Sequence, residues 1–166
     1  MSALTNAIRQ LAADPRPLII TGNLSFFSAG ADLNELVALP CRNAYDFSRM
    51  GQDLMNAIAT FPAPVYAAIC GYCMGGGLDL ALACHRRIAS PDATFGHRGA
   101  ALGLITGWGG TQRLPRLVGK ARALQMFVAA DKVDAPEALE IGLIDRVAAE
   151  PTSFAAHILT IQPLGS

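Results

Sequence analysis

One junction constrains this chain more than any other. An unbroken apolar run, Pro64-Val-Tyr-Ala-Ala-Ile-Cys70, leads into Gly71-Tyr-Cys-Met and three consecutive glycines, Gly75, Gly76 and Gly77, before Leu78-Asp-Leu-Ala-Leu-Ala-Cys84. The run reads as a strand buried on both faces, the form that parallel sheets take, and residues 78–84 as a helix. Glycine in a helix costs about 1 kcal/mol relative to alanine, so three in a row need a cause. Two stay open. The missing Cβ atoms let the helix pack closely on a strand, or they let the backbone approach a ligand at the helix end whose N–H groups are unpaired and whose dipole is positive. The second is a site for developing negative charge. Asp79 lies three residues beyond Gly76, on the same helix face, with its side chain leaning toward the N-terminus. Its carboxylate is expected at the same opening.

The rest of the chain alternates strands with helices. Leu4, Ala7, Ile8, Leu11 and Ala12 predict a helix over 2–13, and residues 17–22 a buried strand ended by Gly22. Residues 23–30 read as a loop and 32–38 as a short helix. Phe47, Met50, Leu54, Ile58 and Phe61 mark one side of a longer helix over 43–61, closed by Pro62 and Pro64. Further strands are expected at 86–90 and 93–96, a Gly-rich then basic stretch from Gly107, helices over 121–130 and 136–141, and a closing strand at 145–147. This order argues for an α/β layered domain with parallel strands. Residues 1–149 form the expected core domain, and 150–166, weakly patterned, a short tail that reads at most as a partial helix.

Composition excludes several functions. The 166 residues are 52% hydrophobic and only 16% charged, against about 25% charged in an average soluble domain. Thirteen basic residues balance thirteen acidic ones, leaving no net field to recruit nucleic acid or an anionic membrane. No apolar run approaches the roughly 18 to 20 residues that span a bilayer. Residues 1–14 lack the pattern of a secretory signal, and a cytoplasmic protein is expected, or a mitochondrial-matrix one in a eukaryote. Cys70 and Cys73 are spaced as in a redox or zinc motif, but no second such pair supplies further ligands. The four cysteines are read as buried free thiols, with no metal.

Phe27-Ser-Ala-Gly-Ala-Asp-Leu33, Cys70-Gly-Tyr-Cys-Met-Gly-Gly-Gly-Leu-Asp-Leu-Ala81, Phe95-Gly96, Gly109-Gly-Thr-Gln-Arg-Leu-Pro-Arg-Leu-Val-Gly119 and Glu137-Ala-Leu-Glu-Ile-Gly-Leu-Ile-Asp145 occur in that order. Together they resemble the crotonase superfamily, the enoyl-CoA hydratases and isomerases. The likeness runs from about Leu4 to about Val147. It implies a spiral of ββα units, here without the family's N-terminal strand pair and C-terminal helices. It further implies an acyl-CoA substrate, with coenzyme A entering as part of the substrate and no separate cofactor, and assembly into a homotrimer or hexamer. By position, the backbone N–H groups of Ala31 and Gly76 become the oxyanion hole for a thioester enolate, and Asp79 the catalytic acid/base. Ala29, Gly30, Asp32, Leu33, Gly75, Gly99 and Trp108 become substrate contacts.

The family's hydratases use two glutamates; the first falls on Asp79 and the second on Gly99. Asp for Glu withdraws the carboxylate by about 1.5 Å, a displacement that can cost on the order of 10²-fold in rate. Gly99 has no acid or base to offer. His97 is either a replacement acid/base or a histidine hydrogen-bonded to backbone at a strand end. Trp108 is expected against the site wall or a subunit neighbour. Arg113, Arg116, Lys120 and Arg122 form a local basic run without an acidic neighbour in sequence, read as a solvated helix face or as a contact for CoA phosphates or a partner chain. Two functional expectations follow: an enzyme of the enoyl-CoA hydratase/isomerase type, or a catalytically impaired relative that binds CoA or assembles with a partner.

Overall fold

The computed structural model describes residues 2–161. Helix α1 (Ser2–Leu11) comes first, followed by β1 (Leu18–Thr21) and β2 (Phe26–Ser28), then helices α2 (Leu33–Ala38) and α3 (Ala44–Ala59). A second couple, β3 (Val65–Ile69) and β4 (Tyr72–Met74), leads into α4 (Gly76–Ala83). A third, β5 (Arg86–Ala89) and β6 (Thr94–Gly96), is followed by α5 (Gly110–Val118) and α6 (Lys120–Val128). Strand β7 (Lys132–Asp134), α7 (Ala135–Glu140), β8 (Arg146–Val147) and α8 (Pro151–Ile161) complete the chain.

Each couple sends its first strand to one sheet and its second to another. The sheets run β1-β3-β5-β8 and β2-β4-β6-β7, so every strand-strand-helix turn lengthens both, which is the expected ββα spiral. The first sheet is parallel throughout, with Leu18 opposite Val65, Ala67 opposite Arg87 and Ile88 opposite Arg146. The second departs from the expected all-parallel order at its edge, where β7 pairs antiparallel with β6, Phe95 opposite Val133. The chain reaches that edge from the α5–α6 excursion and turns directly into α7, whose first turn is capped by the Asp134 side chain, so it arrives from the opposite end.

Strand β3 lies between β1 and β5 and has Val65, Ala67, Ala68 and Ile69 all without exposed surface, as its continuous apolar run requires. Helix α3 turns Leu54, Met55 and Ile58 inward, and Ile8 of α1 is buried with them; Met50, expected on that stripe, is exposed. Strands β2 and β4 occupy stretches read as loop and as helix opening, because three residues carry no visible alternation. Helix α5 fills the Gly-rich and basic stretch despite Pro115 inside it. Residues 150–161, read as tail, form α8, which packs across β1, β3 and β5 with Ala155 buried; residues 162–166 lie outside the described part.

Candidate active site

The three glycines turn out to have two different causes. Gly75 has φ +52° and ψ −121°, a conformation that side-chain-bearing residues avoid, and it reverses the chain from β4 into α4. A Cβ on Gly76 would overlap the Trp108 ring, and one on Gly77 would sit 2.5 Å from the Ser28 carbonyl oxygen. Close packing therefore accounts for two of the glycines. It also brings the start of α4 against the segment after β2, where a Cβ on Gly30 would lie 3.1 Å from Gly76 N.

That junction is one wall of a cavity of about 430 Å³. Ala29, Gly30, Ala31, Leu33, Gly75, Gly76, Asp79, Gly99 and Trp108 all line it. Asp32 does not belong with them: its exposed carboxylate accepts the Asn34 N–H at 2.8 Å and caps α2, as an aspartate before a helix commonly does. Gly76 is the first residue of α4, so its N–H has no partner within the helix. Among the described residues neither that N–H nor the Ala31 N–H finds an acceptor elsewhere. Apolar side chains of Leu36, Leu39, Phe47, Leu102, Leu104 and Ile105 complete the walls.

Asp79 is 1% exposed and is the one carboxylate on the cavity lining. The Thr106 hydroxyl donates to its Oδ2. Its Oδ1 lies 3.1 Å from His97 Nε2, although the two atoms are not aligned as a hydrogen bond, and each lacks any other partner among the described residues. His97, itself buried, rests its ring 5.2 Å from that of Phe127. Of the two readings of His97, no hydrogen bond to backbone is found among the described residues, and placement beside Asp79 is observed. Gly110, first residue of α5, covers both groups; a Cβ there would overlap Asp79 Oδ1 and approach His97 Nε2 at 3.0 Å.

Trp108 belongs to the site wall. Its ring is clamped between Gly51 and Gly76 and stands 5.4 Å from Phe47. Gln52 donates to the Gly107 carbonyl at 2.8 Å, and Arg113 donates to the Trp108 carbonyl at 3.3 Å and to Asn56 Oδ1 at 2.8 Å. Burial lowers the pKa of the Arg113 guanidinium, with the attraction of Asp79 acting the other way. The basic run is thus divided: Arg113 staples the site loop to α3, Arg122 pairs with Glu137, and Arg116 and Lys120 face solvent. Glu137 is the acidic partner that no sequence neighbour supplies.

At Gly99 the chain enters a tight turn over 99–102, and a Cβ would lie 2.7 Å from the Leu104 carbonyl oxygen. The second carboxylate is absent, and the backbone leaves no room to add one. Thr106 carried no sequence signal, since it sits in an aperiodic loop and its role appears only against Asp79, 27 residues away. Of the cysteines, Cys73 and Cys84 are buried, Cys70 is half-buried and Cys41 exposed; all are free. Burial drives the Cys73 thiol well up and that of Cys84 to about 12. Among the described residues no group of three or more His, Cys, Asp or Glu could hold a metal ion, and no helix is long and apolar enough to cross a membrane.

Comparison with known proteins matches residues 1–165 to the enoyl-CoA hydratase/isomerase family. A probable enoyl-CoA hydratase of Bacillus subtilis (strain 168) is 44% identical over 147 residues, 87% of this chain and 57% of that protein. The structure of Pseudomonas aeruginosa DspI superposes with a TM-score of 0.91 at 39% identity, covering 95% of this chain and 62% of the other. An enoyl-CoA hydratase from Bacillus anthracis does so with 0.91 at 35% identity, covering 96% and 64%. The chain spans about three fifths of the length of these relatives.

Proposed function

Because the chain belongs to the enoyl-CoA hydratase/isomerase family, we propose that it acts on acyl-CoA thioesters by way of an enolate, with Ala31 and Gly76 as the oxyanion hole and Asp79 as the acid/base. The Asp79 carboxylate takes the proton from the carbon beside the thioester carbonyl. The C–H electron pair enters the new C–C double bond, and the carbonyl pair moves onto oxygen. Two fixed N–H donors in a water-poor site stabilise that oxyanion; losing one such donor costs about 3 to 4 kcal/mol, or 10² to 10³ in rate. In an isomerisation the proton is returned two carbons further on, so no second carboxylate is required. The observation that carries this reading is that Ala31 and Gly76, whose N–H groups have no acceptor among the described residues, and one buried carboxylate line a single apolar-walled cavity. The apolar walls suit the acyl chain, and self-association as a trimer or hexamer would cover exposed apolar residues such as Leu24, Val37 and Tyr45.

Turnover of crotonyl-CoA and of a 3-enoyl-CoA, in the parent protein and in Asp79→Asn, tests the reading. Turnover that falls by 10² or more in the variant supports it, and equal rates remove Asp79 from the mechanism. A second reading, a CoA-binding protein impaired in catalysis, is favoured by one observation: Asp79 stands without a second carboxylate, and Gly99 has no space for one. Calorimetry with crotonyl-CoA separates the two, since binding without turnover belongs to the second, and the absence of binding refutes both.

A further inference from the structure

We infer that His97 is a positioning residue for Asp79, holding the carboxylate and exchanging a proton with it, so that a single cavity carboxylate completes a catalytic cycle. The inference rests on the acyl-CoA reading above and adds a residue to it. The two carboxylate oxygens have different surroundings. Oδ2 receives the Thr106 hydroxyl, which itself lines the cavity. Oδ1 is sealed from solvent, with His97 Nε2 at 3.1 Å and the first residue of α5 pressed over both atoms.

Two buried polar atoms, each without another partner among the described residues, are expensive to leave unsatisfied. A proton held between them, once the ring turns to align Nε2 with Oδ1 across the 3.1 Å that separates them, satisfies both. The arrangement suits a carboxyl that works through its two oxygens. Oδ2 takes the proton from the substrate carbon while Oδ1 passes its own to Nε2. The pair, which shared one proton, now holds two: the imidazolium lies opposite the enolate charge, and the carboxylate has become a carboxyl by taking the substrate proton. Reversal of the same two transfers delivers a proton to the substrate and restores the pair, so atoms and charge balance without an added reagent. Thr106 keeps the carboxylate plane turned so that Oδ1 meets the imidazole, and Phe127 backs the ring.

The site turn explains why this pairing matters here. Residue 99 cannot carry the second acid, because any Cβ there meets the Leu104 carbonyl at 2.7 Å. His97, two residues earlier and pointing at Asp79, is the available proton holder.

The test uses His97→Gln, which keeps a hydrogen-bonding group beside Oδ1 but accepts no proton, and His97→Ala, which opens a space for added imidazole. The expected result for His97→Gln is an unchanged melting temperature, an unchanged Kd for butyryl-CoA, and kcat for the 3-enoyl-CoA lowered by about 10² or more with KM within a few-fold. In His97→Ala, imidazole restores turnover in a saturable way and pyrazole, of equal size but far weaker basicity, does not. Full turnover by His97→Gln, or equal rescue by pyrazole and imidazole, overturns the inference and leaves the acyl-CoA reading standing. A parent protein that turns over neither substrate overturns both.

Discussion

Gly77→Ala tests how the site is built. The added methyl would lie 2.5 Å from the Ser28 carbonyl oxygen and 2.6 Å from Ser28 Cβ, about 1 Å inside the roughly 3.5 Å at which such atoms rest. The obstacle includes strand backbone, which cannot swing aside as a side chain can, so α4 has to retreat from β2. Overpacking of a tight interior costs about 1 to 3 kcal/mol, and a rigid wall puts this case at the upper end. Alanine in place of glycine returns about 1 kcal/mol of helix propensity. The net loss is about 2 kcal/mol, a fall in Tm of about 4 to 8 °C for a chain of this size. The same retreat moves Gly76 N–H and Asp79 away from Ala31, and displacements near 1 Å cost on the order of 10² in rate. Thermal unfolding by circular dichroism and turnover of a 3-enoyl-CoA measure the two effects together. Gly76→Ala has the Trp108 ring as its nearest obstacle, a side chain rather than strand backbone, and is expected to be milder in Tm. A Gly77→Ala protein melting within 1 °C of the parent would show that α4 is not pressed against β2, and the account of the junction would fail.

Three further outcomes are expected. Gly99→Glu, which formally restores the family's second carboxylate, lowers Tm and leaves crotonyl-CoA hydration no faster, because the new Cβ runs into the Leu104 carbonyl at 2.7 Å; a 10²-fold gain in hydration would refute this. The thiol of Cys84 is raised from 9.0 to about 12 by burial, so between those values the folded chain binds more protons than the unfolded one. Stability from this group is complete below pH 9 and declines as pH rises toward 12, which urea unfolding at pH 8 and pH 10.5 checks, with iodoacetamide at pH 8 reaching Cys41 before Cys73 or Cys84. Leu24 at 82% and Val37 at 89% exposure lead to self-association, and light scattering that finds a monomer at micromolar concentration would contradict it.

What could be read from the sequence follows from how far apart the interacting residues lie. Gly76 and Asp79 share one turn of one helix, so their common direction is a matter of helical geometry, and the structure places both on the cavity as the spacing predicts. The strand over 65–69 declared itself because burial on both faces leaves an unbroken apolar run. Elements without such local signatures stayed hidden. Strands β2 and β4 are too short to alternate, α5 begins with glycine and contains Pro115, and α8 carries apolar residues around its whole circumference, which erases the stripe.

The deeper omission concerns the neighbours of Asp79. Its polar partners come from two segments further along the chain, His97 after β6 and Thr106 from the loop before α5, and neither segment has a pattern that points at α4. They converge because the spiral stacks β6 beside β4 and so carries the residues after β6 over the start of α4. A motif read along the chain finds the acid and offers His97 beside position 99 as a candidate, but it shows neither the approach of His97 to Asp79 nor Thr106, since those contacts are selected by the superposition of successive turns. The same geometry limits substitution: the turn that brings His97 to Asp79 also closes residue 99 against Leu104. On the inference drawn for His97, a proton-holding group at position 97 is one that this backbone accommodates, and a carboxylate at position 99 is one that it resists.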